Sequence, residues 1–114
     1  MSLNIARRTA EEVVILDLEG WATLGADSDR LSEVLHGEIR AGTRKLLVNL
    51  SALGHVDSSG VSALLRAFVE MRDSGGVMRL LIPPGRVRQL FDALQLSRAF
   101  TYLPDEASAL ASFD

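Results

Sequence analysis

Apolar positions along the chain alternate between two rhythms, short dense runs and longer stretches that repeat roughly every three to four residues. Val13-Val14-Ile15-Leu16-Asp17-Leu18 is dense and β-branched, which predicts a strand stopped by Gly20. Residues 3–8 are a weaker strand candidate, and the short polar stretch 9–12 between the two predicts an antiparallel pair. Over residues 27–39, Leu31, Val34, Leu35 and Ile39 fall at helical spacing, with Asp27 or Ser28 as the expected cap and Gly42 as the stop. Leu46-Leu47-Val48-Asn49-Leu50 is nearly all apolar, as a strand buried on both faces should be. Residues 51–56 then read as a loop. Val61, Leu64, Leu65, Phe68 and Met71 mark one face of a second helix. Gly75-Gly76 closes it, since glycine tolerates the left-handed conformation past a helix end.

The same alternation runs to the end. Residues 77–82 predict a short strand halted by Pro83-Pro84, and Val87, Leu90, Phe91 and Leu94 repeat the helical spacing. Residues 100–103 predict a last strand, and Pro104 suits the first turn of a terminal helix carrying Ala107, Leu110 and Ala111. The order ββαβαβαβα has no repeat, linker or low-complexity tract. It predicts an α/β domain, a mixed β-sheet of four to five strands packed with about four α-helices. The strand–helix–strand unit over 46–82 predicts parallel strands joined by a right-handed connection.

Composition narrows the function classes. At 114 residues the chain reads as a single domain, 1–114, long enough to bury a core without staples. The lack of cysteine excludes a disulfide framework, a thiolate metal site and a cysteine nucleophile together. No apolar run approaches the roughly 20 residues that span a bilayer. Met1-Ser2-Leu3-Asn4 lacks the basic-then-apolar start of a signal peptide, so cytoplasmic localisation without membrane insertion is the expectation. The formal charge of −3 divides unevenly, nine acidic against six basic groups in residues 1–57 and six of each in 58–114. That balance offers no electrostatic footprint for nucleic acid, and Arg86 and Arg88 read as solvated surface.

Asp57-Ser58-Ser59-Gly60 lies just past a strand and opens the next helix, where sites in open α/β sheets gather. The first N–H groups of a helix lack partners, so Asp57 or Ser58 is placed to cap them. The macrodipole favours negative charge there, and Gly60 leaves room for a second chain to approach the backbone. On local physics alone, a helix cap with no further role explains these residues. Leu24, Gly25 and Ala26 precede the first helix and should share a rim with Ser58 if the strands are parallel; a loop without a role explains them equally well.

The wider setting changes that balance. From Leu46 to Val61, a buried strand, an Asn after it, a short loop and then Asp57-Ser58-Ser59-Gly60 resemble the signature of the STAS domain, named for sulfate transporters and anti-sigma factor antagonists. Leu18-Glu19-Gly20, Gly75-Gly76-Val77 and the segment 87–96 around Leu90-Phe91 are similar to the family as well. The resemblance implies the STAS (anti-sigma factor antagonist) fold and a regulatory binding protein, not an enzyme. Stand-alone members bind an anti-sigma factor serine kinase and thereby free a sigma factor. Carried onto this chain, Ser58 is the phosphate acceptor, flanked by Asp57, Ser59 and Gly60, and a serine phosphatase restores it. With Thr23, Leu24 and Gly25 these residues form the expected partner-binding set. Gly20-Trp21-Ala22-Thr23 departs from the family's frequent Gly-x-Leu-Asp, so Thr23 stands where an acidic residue commonly lies, which bears on partner docking. Trp21 is either an exposed contact or a core packer, and packing is the expectation, since tryptophan is highly buried on average. A second reading within the family is a STAS subunit of a membrane transport assembly, such as a lipid ABC transporter, which needs no phosphorylation.

A serine hydrolase is the outside option. His36 and His55 are the only histidines, His55 lies close to Ser58 in sequence, and no Gly-x-Ser-x-Gly elbow is present. No His, Asp and Glu cluster has metal-ligand spacing, and Asp27 and Asp29 read as charge complementing a helix dipole. Without a Gly-x-x-x-x-Gly-Lys loop, nucleotide hydrolysis is unsupported, and no cofactor is expected.

Overall fold

Glu11 and Glu12 both take positive φ (51° and 69°) and turn strand β1 (Asn4–Ala10) back into β2 (Val13–Ala22), with Ala10 opposite Val13. Positive φ at both central positions makes the tight hairpin turn whose twist matches the strands. The turn is thus shorter than the polar stretch 9–12. The computed structural model describes residues 2–113; Met1 and Asp114, the ends of the predicted domain, lie outside the described residues.

Helix α1 (Ala26–Arg40), β3 (Lys45–Val56), α2 (Ser58–Asp73), β4 (Val77–Leu81), α3 (Arg86–Ala93), a 3-10 turn (Leu96–Arg98), β5 (Tyr102–Leu103) and α4 (Glu106–Ala111) follow. The sheet order is β1-β2-β3-β4-β5, antiparallel at the first pair and parallel at the others. This five-stranded mixed sheet with four α-helices is the architecture that the alternating rhythms predict. Side chains alternate across a strand. Leu46, Val48 and Leu50 therefore meet α1, α2 and α3 on one face, through Leu31, Leu35, Leu64, Met71 and Phe91. On the other face Leu47 joins Val13, Ile15 and Leu81 beneath Ala109 of α4.

Several boundaries differ from the sequence expectation, each for a physical reason. Gly20 does not stop β2, which runs on to Ala22. Gly20 sits at φ 99° beside a register irregularity, and a Cβ there would collide with the Ser2 carbonyl oxygen. Residues 51–56 are strand rather than loop: β3 continues along β2 to Ala22↔Val56, past its last pair with β4 at Asn49↔Leu81. Neither Asp27 nor Ser28 caps α1. The cap position falls to Gly25, Asp27 accepts from the Leu3 amide (3.2 Å), and the Ser28 hydroxyl donates to the Gly25 carbonyl (3.1 Å).

At the far end, Pro104 stands ahead of the last helix. Asp105 caps that helix by accepting from the Ser108 amide (2.8 Å). Phe100 precedes β5 and is buried, joining Phe68, Phe91 and Tyr102 in an aromatic cluster. Arg88 is not simply solvated: it donates to the Ile82 carbonyl (3.1 Å) and lies over the Tyr102 ring.

Candidate functional site

The extra length of β2 and β3 decides where the site forms. Both strands end together, Ala22 beside Val56, so the chain leaves both of them at one rim of the sheet. Asp57 ties the two exits. Its amide donates to the Ala22 carbonyl (3.4 Å). Its Oδ1 accepts from the Ser59 and Gly60 amides (2.9 and 3.2 Å), and its Oδ2 accepts from the Leu24 amide (2.9 Å). The first pair satisfies donors left open at the start of α2; the last fastens the β2–α1 turn to it. The sequence left the cap open between Asp57 and Ser58; in the fold it belongs to Asp57, and the Ser58 side chain is free of that task.

These donated bonds, foremost the one from Leu24, hold the Asp57 carboxyl below the usual carboxylate range. A group whose native pKa is depressed adds stability above its unfolded value, about 3.9, and loses it as pH falls through the native value. At neutral pH the tie is therefore fully in place. Asp57→Ala is expected to lower the hydrogen-exchange protection of the Leu24, Ser59 and Gly60 amides about tenfold at pH 7, with the gap to the parent closing below pH ~4. Equal protection at pH 7 would contradict the tie.

Gly60 is buried, and the close approach it permits is made by the chain itself. A Cβ at this position would collide with the Ala22 carbonyl oxygen and lie 2.7 Å from Val56 Cγ2. Gly60 thus lies beneath the rim and is not open to a second chain. Above it, Ser58 is exposed as the first residue of α2, and Ser59 is half-buried. Leu24 is 80% exposed, an apolar side chain without cover. Gly25 is exposed at φ 109°, and half-buried Thr23 accepts the Ser28 amide at its carbonyl (3.1 Å). The structure therefore brings Thr23, Leu24, Gly25, Asp57, Ser58 and Ser59 together.

A shallow cavity of about 300 Å³ opens beside Leu24, Ser58 and Ser59. Its other walls were not placed at the site by sequence reasoning: Ser28 and Asp29 of α1, Ser62 and Arg66 of α2. The available signal is that 58, 62 and 66 recur one turn apart on a single helix face. Beside Arg66 the helix surface continues with Leu65 and, one turn on, the exposed Val69.

Trp21 does not pack into the core. Side-chain alternation puts it opposite the buried Ala22, on the part of the sheet that α4 leaves open, and it is 37% exposed. The His55 ring meets it edge-on, with centroids 4.6 Å apart. His36 Nδ1 pairs with Glu70 Oε2 at 2.5 Å, linking α1 to α2. Among the described residues neither histidine hydrogen-bonds to the Ser58 hydroxyl. Among the described residues no group of His, Asp and Glu is placed to hold a metal, and no helix is long and apolar enough to cross a membrane.

Comparison with known proteins bears on the same residues. The family model of the STAS domain matches residues 4–109. A candidate anti-sigma factor antagonist from Thermotoga maritima superposes with a TM-score of 0.87 at 18% identity, covering 96% of this chain and 93% of that one. An anti-sigma factor antagonist from Mycobacterium paratuberculosis gives 0.85 at 16% identity, with 98% and 94% covered. The phosphorylated form of SpoIIAA, a Bacillus cell fate determinant, gives 0.71 at 21% identity, with 99% and 100% covered. At these identities the structural likeness is one of fold. The family match is a match of sequence, and it runs from β1 into α4 through the whole rim just described. On that ground this chain belongs to the STAS domain family.

Proposed function

We propose that the chain is an anti-sigma factor antagonist, a regulatory binding protein switched by phosphorylation of Ser58. The observation that carries this reading is an exposed serine hydroxyl at the first residue of α2, relieved of capping by Asp57 and set beside the uncovered Leu24. A serine without a neighbouring base is a weak nucleophile for hydrolysis. It is a suitable acceptor for a kinase, which supplies its own base. The Oγ–P bond forms as the bond from the γ-phosphorus of ATP to its bridging oxygen breaks. ADP leaves, and the hydroxyl proton passes to the kinase.

Unphosphorylated, the rim of Thr23, Leu24, Gly25, Ser58 and Ser59 docks on an anti-sigma factor that is itself a serine kinase, and the sigma factor is released. Phosphate adds about −1.5 to −2 charges beside Asp57 and Asp29, and ends the complex by repulsion and bulk. A serine phosphatase restores the binding form. The setting is the cytoplasm, with no cofactor and no direct contact with nucleic acid. A similar fold known in a phosphorylated form supports the reading. A STAS subunit of a lipid transport assembly would use the same face without needing an acceptor.

Intact-mass measurement after incubation with the candidate kinase and ATP separates the two. The expected result is a single added phosphate, mapped to Ser58 and absent from Ser58→Ala. An unchanged mass with every anti-sigma factor kinase of the same genome would sink the phosphorylation reading and leave the transport one.

A further inference from the structure

Ser58, Ser62 and Arg66 stand on successive turns of α2 and line the same cavity. Helical side chains lean toward the N-terminus, so Ser62 and Arg66 reach in the direction of Ser58. The backbone positions of Ser58 and Arg66 are about 12 Å apart along the axis. A full-length arginine and a phosphoserine narrow that gap from its two ends, with the Ser62 hydroxyl midway.

The state of Arg66 is unlike that of the arginines near β1. Arg7 is held by Glu38, and Arg8 by Asp17 and Glu106, all at 2.7 Å or less. Arg66 has no such carboxylate among the described residues. Glu70, one turn on, is taken by His36, and the Arg66 guanidinium makes one long bond of 3.4 Å to Ser32 Oγ of α1. A guanidinium this weakly engaged is available to an anion. The other charges that face the phosphate position are Asp29 from α1 and Asp57 at the start of α2, and both repel it.

Building on the phosphorylation reading, we infer that this cavity is a phosphoryl-binding site within the chain, in which Arg66 and the Ser62 hydroxyl hold the phosphate carried by Ser58. Laid along α2 in this way, the phosphate covers the flank of Leu24 and Ser59, so the modified rim is masked as well as recharged. The ligand class is a phosphomonoester dianion, which a guanidinium and a hydroxyl recognise together.

The test uses the full chain with phosphoserine installed at position 58 during synthesis, followed by ³¹P NMR through a pH titration. Arg66→Gln is expected to raise the proton affinity of the phosphate about threefold over the parent, whose free counterpart titrates near ~6. Asp29→Asn is expected to lower it. Arg72→Gln removes an exposed charge that lies outside this cavity on the same helix, and is expected to leave the titration unmoved. Identical titrations for Arg66→Gln and the parent, or an equal response to Arg72→Gln, would overturn the inference. The phosphate is installed and not transferred, so failure here is distinct from failure of Ser58 to accept phosphate from a kinase, which the mass measurement reads.

Discussion

Gly60→Ala is expected to destabilise the domain by about 2 kcal/mol and to lower its melting temperature by roughly 8 °C. Two effects of opposite sign compete. Alanine has the higher helix propensity, worth up to about 1 kcal/mol inside a helix. Against it, the new methyl would overlap the Ala22 carbonyl oxygen and press on Val56 Cγ2 at 2.7 Å, and overpacking of this kind costs about 1–3 kcal/mol. The upper part of that range applies, because the obstructing oxygen belongs to the sheet backbone and cannot rotate away. The helix start cannot slide either, being pinned by the Gly60 amide to Asp57 Oδ1 and by Asp57 to Leu24.

Gly37→Ala is the matched control. Gly37 lies in α1 with no atom within 4 Å of a Cβ, and there the substitution is expected to stabilise by up to about 1 kcal/mol. Urea unfolding followed by the fluorescence of Trp21, the one tryptophan, measures both. A Gly60→Ala variant as stable as the parent would mean that α2 does not start in contact with β2.

The same contact marks the limit of what sequence shows. The element order and the sheet were legible because strands show as short dense apolar runs and helices as apolar repeats every three to four residues, signals that need no knowledge of their partners. The ends of β2 and β3 were not. Gly20 looks like a stop, and residues 51–56 look like a loop. In the fold, Gly20 admits the Ser2 backbone, and Gly54 sits mid-strand next to Trp21 and the Gly20 carbonyl, contacts made across a long stretch of chain. Asp27 has the position and chemistry of a cap but is taken by the distant Leu3 amide.

A cap at Asp57 or Ser58 was readable because such a bond is local, and the fold gives it to Asp57. Its hold on Leu24 was not readable, since it depends on where β2 ends. Trp21 followed its average tendency to pack only in part, because among the described residues no helix covers that end of the open sheet face. The rim residues Thr23, Leu24, Gly25, Asp57, Ser58 and Ser59 were thus legible in the sequence as site residues, while Ser28, Asp29, Ser62 and Arg66 of the cavity were not, and the ties that assemble the rim are long-range.

Phosphorylation of Ser58 is expected to abolish binding to the anti-sigma factor while leaving the domain folded. Ser58 is exposed and its side chain takes no part in the cap, so neither packing nor a cap is lost. The start of a helix favours negative charge. The far-UV helix signal is therefore expected to persist, with the melting temperature within about 3 °C of the parent. In the complex proposed above the balance reverses. A charge near −2, which one guanidinium does not neutralise, must be brought to the interface beside Asp57 and Asp29, and like-charge juxtaposition there costs several kcal/mol. Ser58→Glu carries less charge and is expected to act in the same direction more weakly.

The central claim, that the switch works at the interface of an intact domain, is tested most directly by calorimetric titration of the unmodified and the Ser58-phosphorylated chain into the anti-sigma factor kinase. The unmodified chain is expected to form a complex, and the phosphorylated one to bind at least about 100-fold more weakly, about 2.7 kcal/mol. Equal affinities would contradict that claim.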